Sequence, residues 1–307
     1  MGRVLSACFL SAMRGVARMP WGIQRRIGGT AGGLMHCLMR RRRRIAETNL
    51  ALCFPHLGDA ARARLVRRHF HALGLGIVET ALAWWGSEPR IMARSRIVGA
   101  EHLEAALACG RGVILLGGHF TTFELSGRIL ASRFECGATY RPHNDPGWDA
   151  LLRAGRGRHL AALVPHKDAR AMIRHLAANR ILWYAPDQDF SSRRGRRNVF
   201  VPFFAERSVA TTATAWLART SGARVVPFAS YRLADESGWE VVIGPALQDF
   251  PSGDDVADAT RLNAVLERQI ERSPEQYLWV HRRFKTRPPD APPAYGAELL
   301  RHRTTRG

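Results

Sequence analysis

The run Gly112-Val113-Ile114-Leu115-Leu116 limits what this chain can fold into more than any other segment. It is apolar without interruption, and Gly117, Gly118 and His119 end it with a turn. A strand with no polar face must be covered on both sides, the condition of a strand inside a parallel sheet. A helical pattern starts at once behind it, over Thr121–Leu130. The same alternation recurs. Further strands are predicted at Cys136–Tyr140, Ala161–Val164, Ile181–Ala185, Arg224–Tyr231 and Glu240–Ile243. Helices are predicted at Ala60–Trp85, Leu103–Leu107, Trp148–Arg158, Lys167–Ala178, Val209–Thr220 and Val256–Arg272. Strands alternating with helices indicate an α/β fold, a mostly parallel central sheet flanked by helices. Ligands in such folds bind beyond the carboxyl ends of the strands, where this reading puts His119 and Asp187.

Composition narrows the class of partner. With 46% hydrophobic residues among 307, the chain can bury a sizeable core, which excludes global disorder. Its formal net charge is +20, and only Lys167 and Lys285 are lysines. Such arginine usage is a common result of GC-rich coding, but its physical consequence stands regardless. The surface is drawn to polyanions, and guanidinium forks suit phosphate oxygens. Nucleic acid, anionic membrane and phosphorylated lipid are the candidates. Cys8, Cys37, Cys53, Cys109 and Cys136 form an odd set without C-x-x-C or zinc-like spacing, which fits a reducing compartment and argues against a disulfide scaffold.

The N-terminus is apolar and basic by turns. Val4–Met13 lies between Arg3 and Arg14 and is too short to span a bilayer, which takes roughly 20 apolar residues. Arg14 and Arg18 follow directly and no cleavage pattern does, so a signal peptide is disfavoured. Gly2 and Ser6 fit a myristoylation pattern that six residues match easily by chance. Leu5, Cys8, Phe9, Ala12, Met13 and Val16 fall at helical spacing, as in a helix lying in a membrane interface. Arg40–Arg44 follow the glycine-rich stretch Gly28–Met39 and read as a grip on anionic headgroups. Residues 1–45 are therefore expected to be a membrane-associated segment, 46–290 the catalytic domain and 291–307 a loose tail.

The chemistry centres on Gly117-Gly118-His119-Phe120-Thr121-Thr122-Phe123-Glu124. In a continuous helix His119 and Glu124 would stand about 140° apart. They meet if His119 lies in the loop and Glu124 in the first helical turn. A histidine so held can take the proton of a hydroxyl as it attacks a carbonyl. A carboxylate on its other ring nitrogen fixes the tautomer. By itself the motif is weak. Thr121 and Glu124 also have capping-box spacing, and a lone loop histidine is more often structural than basic. There is no H-E-x-x-H and no G-x-S-x-G.

Taken with distant blocks, the sequence resembles the late (secondary) acyltransferases of bacterial lipid A biosynthesis. The blocks are Asn49–Pro55, Gly118–Glu124, Tyr140-Arg141-Pro142, Trp183–Asp189, Val201–Phe204 and Pro274–Pro288, in the family's order. The resemblance implies a fold like that of glycerol-phosphate acyltransferases. It implies transfer of an acyl chain from acyl carrier protein to the hydroxyl of a 3-hydroxyacyl chain on a Kdo-modified lipid A precursor. It also implies work at the cytoplasmic face of the inner membrane, with no metal or organic cofactor. The family's His-x-x-x-x-acid motif falls on His119 and Glu124, its Gly-Arg-x-Arg arginine on Arg156, and its acidic residue after Tyr-Ala-Pro on Asp187. Family members often carry a longer hydrophobic N-terminal segment than this one.

The roles expected on that basis are His119 as general base and Glu124 as its orienting carboxylate. Arg156 would hold a substrate phosphate or stabilise the developing oxyanion. Asp187 would structure the pocket by bonding an arginine, with Arg141 and Asn144 lining the site. Arg193, Arg194, Arg196 and Arg197 would meet the acidic carrier protein or lipid phosphates, and Trp183, Phe203, Phe204 and Trp279 would line an acyl channel. An acyltransferase acting on another glycolipid or a lysophospholipid would use the same dyad. Nucleic acid is not an expected partner, since no recognition motif accompanies the arginines.

Overall fold

In a computed structural model the chain is described over residues 3–189 and 198–300, with side chains from residue 10. Its elements, in chain order, begin with the helices α1 (Arg3–Arg18), α2 (Trp21–Leu38), α3 (Arg40–Cys53), α4 (Asp59–Trp85) and α5 (Glu88–Met92). There follow β1 (Ser95–Val98), α6 (Ala100–Ala108), β2 (Val113–Leu116), α7 (Phe123–Ala131), β3 (Cys136–Tyr140), α8 (Pro146–Arg156), β4 (Ala162–Pro165), α9 (Ala169–Ala177) and β5 (Ile181–Tyr184). The rest comprises β6 (Asn198–Phe203), β7 (Glu206–Thr211), α10 (Ala213–Ser221), β8 (Arg224–Arg232), β9 (Trp239–Ile243), α11 (Asp255–Arg272), a 3₁₀ turn at Pro274–Gln276 and α12 (Ala297–Leu300).

Seven strands form one sheet in the order β1-β9-β8-β2-β5-β3-β4. Every pairing is parallel except that of β8 with β9. β2 is central, and its side chains alternate between the two cores as strand pleating requires. Val113 and Leu115 face a core built with α4, α6 and α7; Ile114 and Leu116 face a core built with α9, α10 and α11. The mostly parallel α/β sheet read from the sequence is present. Two features differ from that reading. Ser95–Val98 forms an edge strand, and Val209–Thr211 belongs to the hairpin β6–β7 instead of opening a helix.

The long helix α4 carries the N-terminal helices. α2 crosses it where glycines face each other: a Cβ on Gly74 would collide with the backbone of Gly28 and Gly32. α1 packs Met13 and Ala17 against Ala81, with Val16 and Trp85 nearby. The described part of the expected interfacial helix thus has its apolar face covered, while the side chains of Leu5, Cys8 and Phe9 lie outside the described residues. At the sheet end of α4, Glu79 takes two hydrogen bonds from Arg232 (both 2.6 Å) and one from the Trp239 indole (2.6 Å), all buried.

A third core of aromatic residues joins α3, α4, α11 and the C-terminal segment. Asn49 donates to the carbonyls of Trp279 and His281 (2.7 Å each), and the Tyr295 hydroxyl donates to Asn49 Oδ1 (2.5 Å). Beyond residue 291, where the sequence suggests a tail, Tyr295 and Leu299 are buried in this core.

Candidate active site

His119 and Asp187 each stand three residues past the end of a strand. Those strands, β2 and β5, are parallel neighbours with Leu116 opposite Tyr184. Equal excursions from paired strand ends bring the two loops out in step. His119 Nδ1 donates to Asp187 Oδ1 at 2.6 Å, and the His119 backbone N–H donates to Asp187 Oδ2 at 2.8 Å. The loop is short because Gly117 lies against Trp183; a Cβ there would sit 2.7 Å from the indole nitrogen.

The far side of the loop is clamped by the C-terminal segment. Thr121 N–H donates to Gln276 O (2.8 Å) and Leu278 N–H to His119 O (2.9 Å). Gln276 is anchored in turn by exchanging two hydrogen bonds with the Arg232 backbone (2.8 and 2.9 Å). Tyr277, buried, donates its hydroxyl to Asp187. Burial alone would raise the Asp187 pKa, but the adjacent imidazole and the bonds from His119 and Tyr277 outweigh it and hold it at about 2. Burial, and next the Asp187 charge, push the Tyr277 phenol well up.

Glu124, expected to orient His119, is held elsewhere. Its carboxylate takes Arg156 Nη2 at 2.5 Å and Nε at 3.0 Å on one oxygen, and the Trp84 indole at 3.2 Å on the other. The physical reason is position. The helix begins at Phe123, so Glu124 lies in its first turn and points to the ends of α4 and α8. Asp187, expected to bond an arginine, takes the histidine instead, and Arg156 takes Glu124. The capping box is not formed either: Thr122 is the N-cap without a side-chain bond to the helix, and Thr121 Oγ1 is buried without a partner.

The two pairs share one cavity of about 310 Å³, whose polar lining includes His119, Glu124, Arg156, Arg141 and Gln188. Its apolar lining includes Gly127, Leu130, Cys136, Leu152, Leu160, Trp183 and Phe228. His119 retains 23% exposure, and among the described residues Nε2 has no hydrogen-bond partner. Trp183 packs edge-on to the imidazole (5.6 Å), Phe123 stacks on Trp183, and the Arg156 guanidinium lies 5.4 Å from the Phe123 ring. His159 lines the cavity too, its pKa brought down to about 4 by burial first and by Arg128 and Arg156 next.

Other expected residues fall away from this centre. Asn144 is exposed in the loop before α8 and does not line the cavity. Trp279 and Phe203 are fully buried in the aromatic core, with Phe204 packed against them. Arg193, Arg194, Arg196 and Arg197 lie outside the described residues. Among the described residues no group of His, Cys, Asp and Glu has the arrangement of a metal site. Tyr277 and Trp84 were missed as site residues; only Tyr277 lay in a motif block that could have flagged it.

A cavity that holds a carboxylate-bound imidazole and an arginine among apolar walls suits a reaction that moves a proton and a hydrocarbon chain together. Residues 3–286 match the family model described as bacterial lipid A biosynthesis acyltransferase. The chain is 38% identical over 281 residues to the lipid A biosynthesis lauroyltransferase of Escherichia coli K12, covering 91% of each chain. It is 37% identical to the lipid A biosynthesis palmitoleoyltransferase of the same organism, covering 88% of each. To its lipid A biosynthesis myristoyltransferase the identity is 28%, over 91% of this chain and 86% of the relative.

Proposed function

The chain belongs to the bacterial lipid A biosynthesis acyltransferase family and is an acyltransferase of that biosynthesis, and from this premise we propose that it moves a fatty acyl chain from acyl carrier protein to the hydroxyl of a 3-hydroxyacyl chain on a Kdo-modified lipid A precursor. The observation that carries the chemistry is the His119–Asp187 bond in a half-apolar cavity.

In this reading Asp187 keeps the proton on Nδ1, so Nε2 is the basic nitrogen. Nε2 takes the acceptor hydroxyl's proton as the oxygen attacks the thioester carbonyl. The carbonyl oxygen becomes an oxyanion, which collapses by expelling the carrier's thiolate. The imidazolium returns its proton to that sulfur, leaving an acyloxyacyl ester and free carrier thiol. Arg156 stabilises the oxyanion through its remaining N–H groups, as charge developing in a partly dry site demands. Glu124 serves the reaction by holding Arg156. Arg141, on the rim, holds a substrate phosphate. No metal or organic cofactor takes part.

The site works at the cytoplasmic face of the inner membrane, where the acceptor is embedded. Among the described residues no helix is long and apolar enough to cross a membrane, so attachment through the N-terminal helices is the reading.

The test is an assay with carrier proteins loaded with chains of several lengths and the Kdo-modified tetraacyl precursor, read by mass spectrometry. Acyloxyacyl product from the wild type, cut by about 10²–10⁴-fold in H119A, supports the reading. Absence of product with every donor overturns the acceptor assignment; full activity of H119A overturns the mechanism.

A further inference from the structure

α2 offers an apolar stripe to solvent. Ile23, Ile27, Leu34 and Leu38 are all exposed, Leu34 at 57% and Leu38 at 77%. At helical spacing they fall within about 60° of arc. The opposite side, Trp21, Gln24, Gly28 and Gly32, is buried on α4, so the helix has one face packed and one unpartnered. Elsewhere, large exposed apolar side chains such as Val98, Trp216 and Val256 stand singly. Isolated ones need no explanation, whereas a continuous stripe marks an interaction surface.

The charge around it selects the partner. The first 46 residues contain ten arginines and no Asp or Glu. Arg26 borders the stripe and is exposed, and Arg40 and Arg44 are exposed just past its end. Arg41, Arg42 and Arg43 donate to the carbonyls of Leu299, Val280 and His36, which fastens this basic end to the body while leaving its charge. The nearby carboxylates are engaged, Glu236 with Arg25 and Glu47 with Arg43, and the exposed arginines outnumber them; an apolar stripe flanked by such cations matches the boundary between acyl chains and anionic headgroups.

We propose that α2 is the helix by which this protein seats on an anionic bilayer, with Ile23, Ile27, Leu34 and Leu38 in the acyl boundary and Arg26, Arg40 and Arg44 among the headgroups. The proposal rests on the reading that the acceptor is a membrane lipid. It replaces the described part of α1, whose apolar face is occupied by α4.

The experiment is cosedimentation of the full chain with vesicles of phosphatidylcholine and phosphatidylglycerol. L34E/L38E and I23E/I27E are compared with V256E, an equally exposed apolar site on α11. Both α2 variants are expected to bind about tenfold more weakly or worse, with V256E unchanged. R40Q/R44Q is expected to weaken binding and flatten its salt dependence. Thioester consumption in detergent micelles stays at the wild-type level in all of them, which separates loss of docking from failure of the acyltransferase reading and confirms folding. Wild-type sedimentation of both α2 variants overturns the proposal. So does light scattering that finds a wild-type dimer and monomeric α2 variants with vesicle binding intact, which makes the stripe a contact between copies.

Discussion

Asp187 holds His119 at two points, the imidazole Nδ1 at 2.6 Å and the backbone N–H at 2.8 Å, so one carboxylate fixes both the ring and the loop that carries it. With a pKa of about 2 it stays ionised through the working pH range. Replacing Asp187 with Asn removes the negative charge and the tautomer preference. D187N is expected to lose about 10²–10⁴-fold in kcat. A D187N enzyme that keeps the wild-type kcat refutes this assignment.

Glu124 makes a contrasting case. It is bound to Arg156 through two nitrogens and to Trp84, not to His119. E124Q is therefore expected to lower kcat less than D187N does, since the imidazole keeps its own carboxylate and only the hold on Arg156 is weakened. R156K loses the paired geometry and should resemble R156A more than the wild type. A loss of kcat in E124Q as large as that of D187N, with R156A close to the wild type, would return Glu124 to the role of histidine partner.

How much of this was legible depends on range. The central strands were readable because their residues are buried on both faces and so continuously apolar. β1 was not, because Ser95–Val98 sits at an edge and alternates exposed with half-buried residues. β7 was not, because Val209–Thr211 runs into α10 without a clear break, so its apolar residues read as the start of that helix. His119 and Asp187 were both located beyond strand ends, yet paired with the wrong groups. Choosing a partner 68 residues away requires the β2–β5 register, and local spacing favoured Glu124. The motif blocks gain a physical reason: Asn49 and Trp279–His281 bind each other, and Gln276–Leu278 clamps the His119 loop.

Gly127 lines the cavity beside Leu160 and His159. It lies on α7 after Glu124, and a Cβ there would meet only Leu160 at 3.7 Å and His159 at 3.8 Å, ordinary contact distances. G127A should fold and act normally. G127L would project into the cavity beside Leu160, and its kcat/KM for the longest accepted donor is expected to fall about tenfold or more, with shorter donors affected far less. Equal loss at every chain length would mean that the acyl chain does not enter past Gly127.

The buried Glu79–Arg232 pair ties α4 to β8. Both side chains are almost inaccessible, and Trp239 donates to the same carboxylate. Removing one partner leaves an uncompensated buried charge, so E79A is expected to cost about 3–5 kcal/mol. Urea unfolding checks this. A loss below about 1 kcal/mol would mean that water reaches the pair on opening of α4.

Acid should unfold the protein in a window set by buried histidines. Burial lowers His69 to about 4 with little opposition, and burial is likewise the largest cause for His159 and His281, each at about 4. In the unfolded chain each titrates near about 6.5. Between those values the unfolded state binds protons that the folded state refuses, so stability is full above about 6.5 and falls as pH drops toward about 4. Asp187 adds a loss only at lower pH, where its folded value of about 2 lies below the unfolded one. Urea midpoints measured from pH 8 to 4 should therefore decline across that window, approaching the slope of three protons. H69Q, which removes the most deeply buried of the three, should flatten the slope by about one proton. A slope unchanged in H69Q would show that its ring is protonated in the folded state, where the Glu275 carbonyl at 3.0 Å from Nδ1 would then be its acceptor.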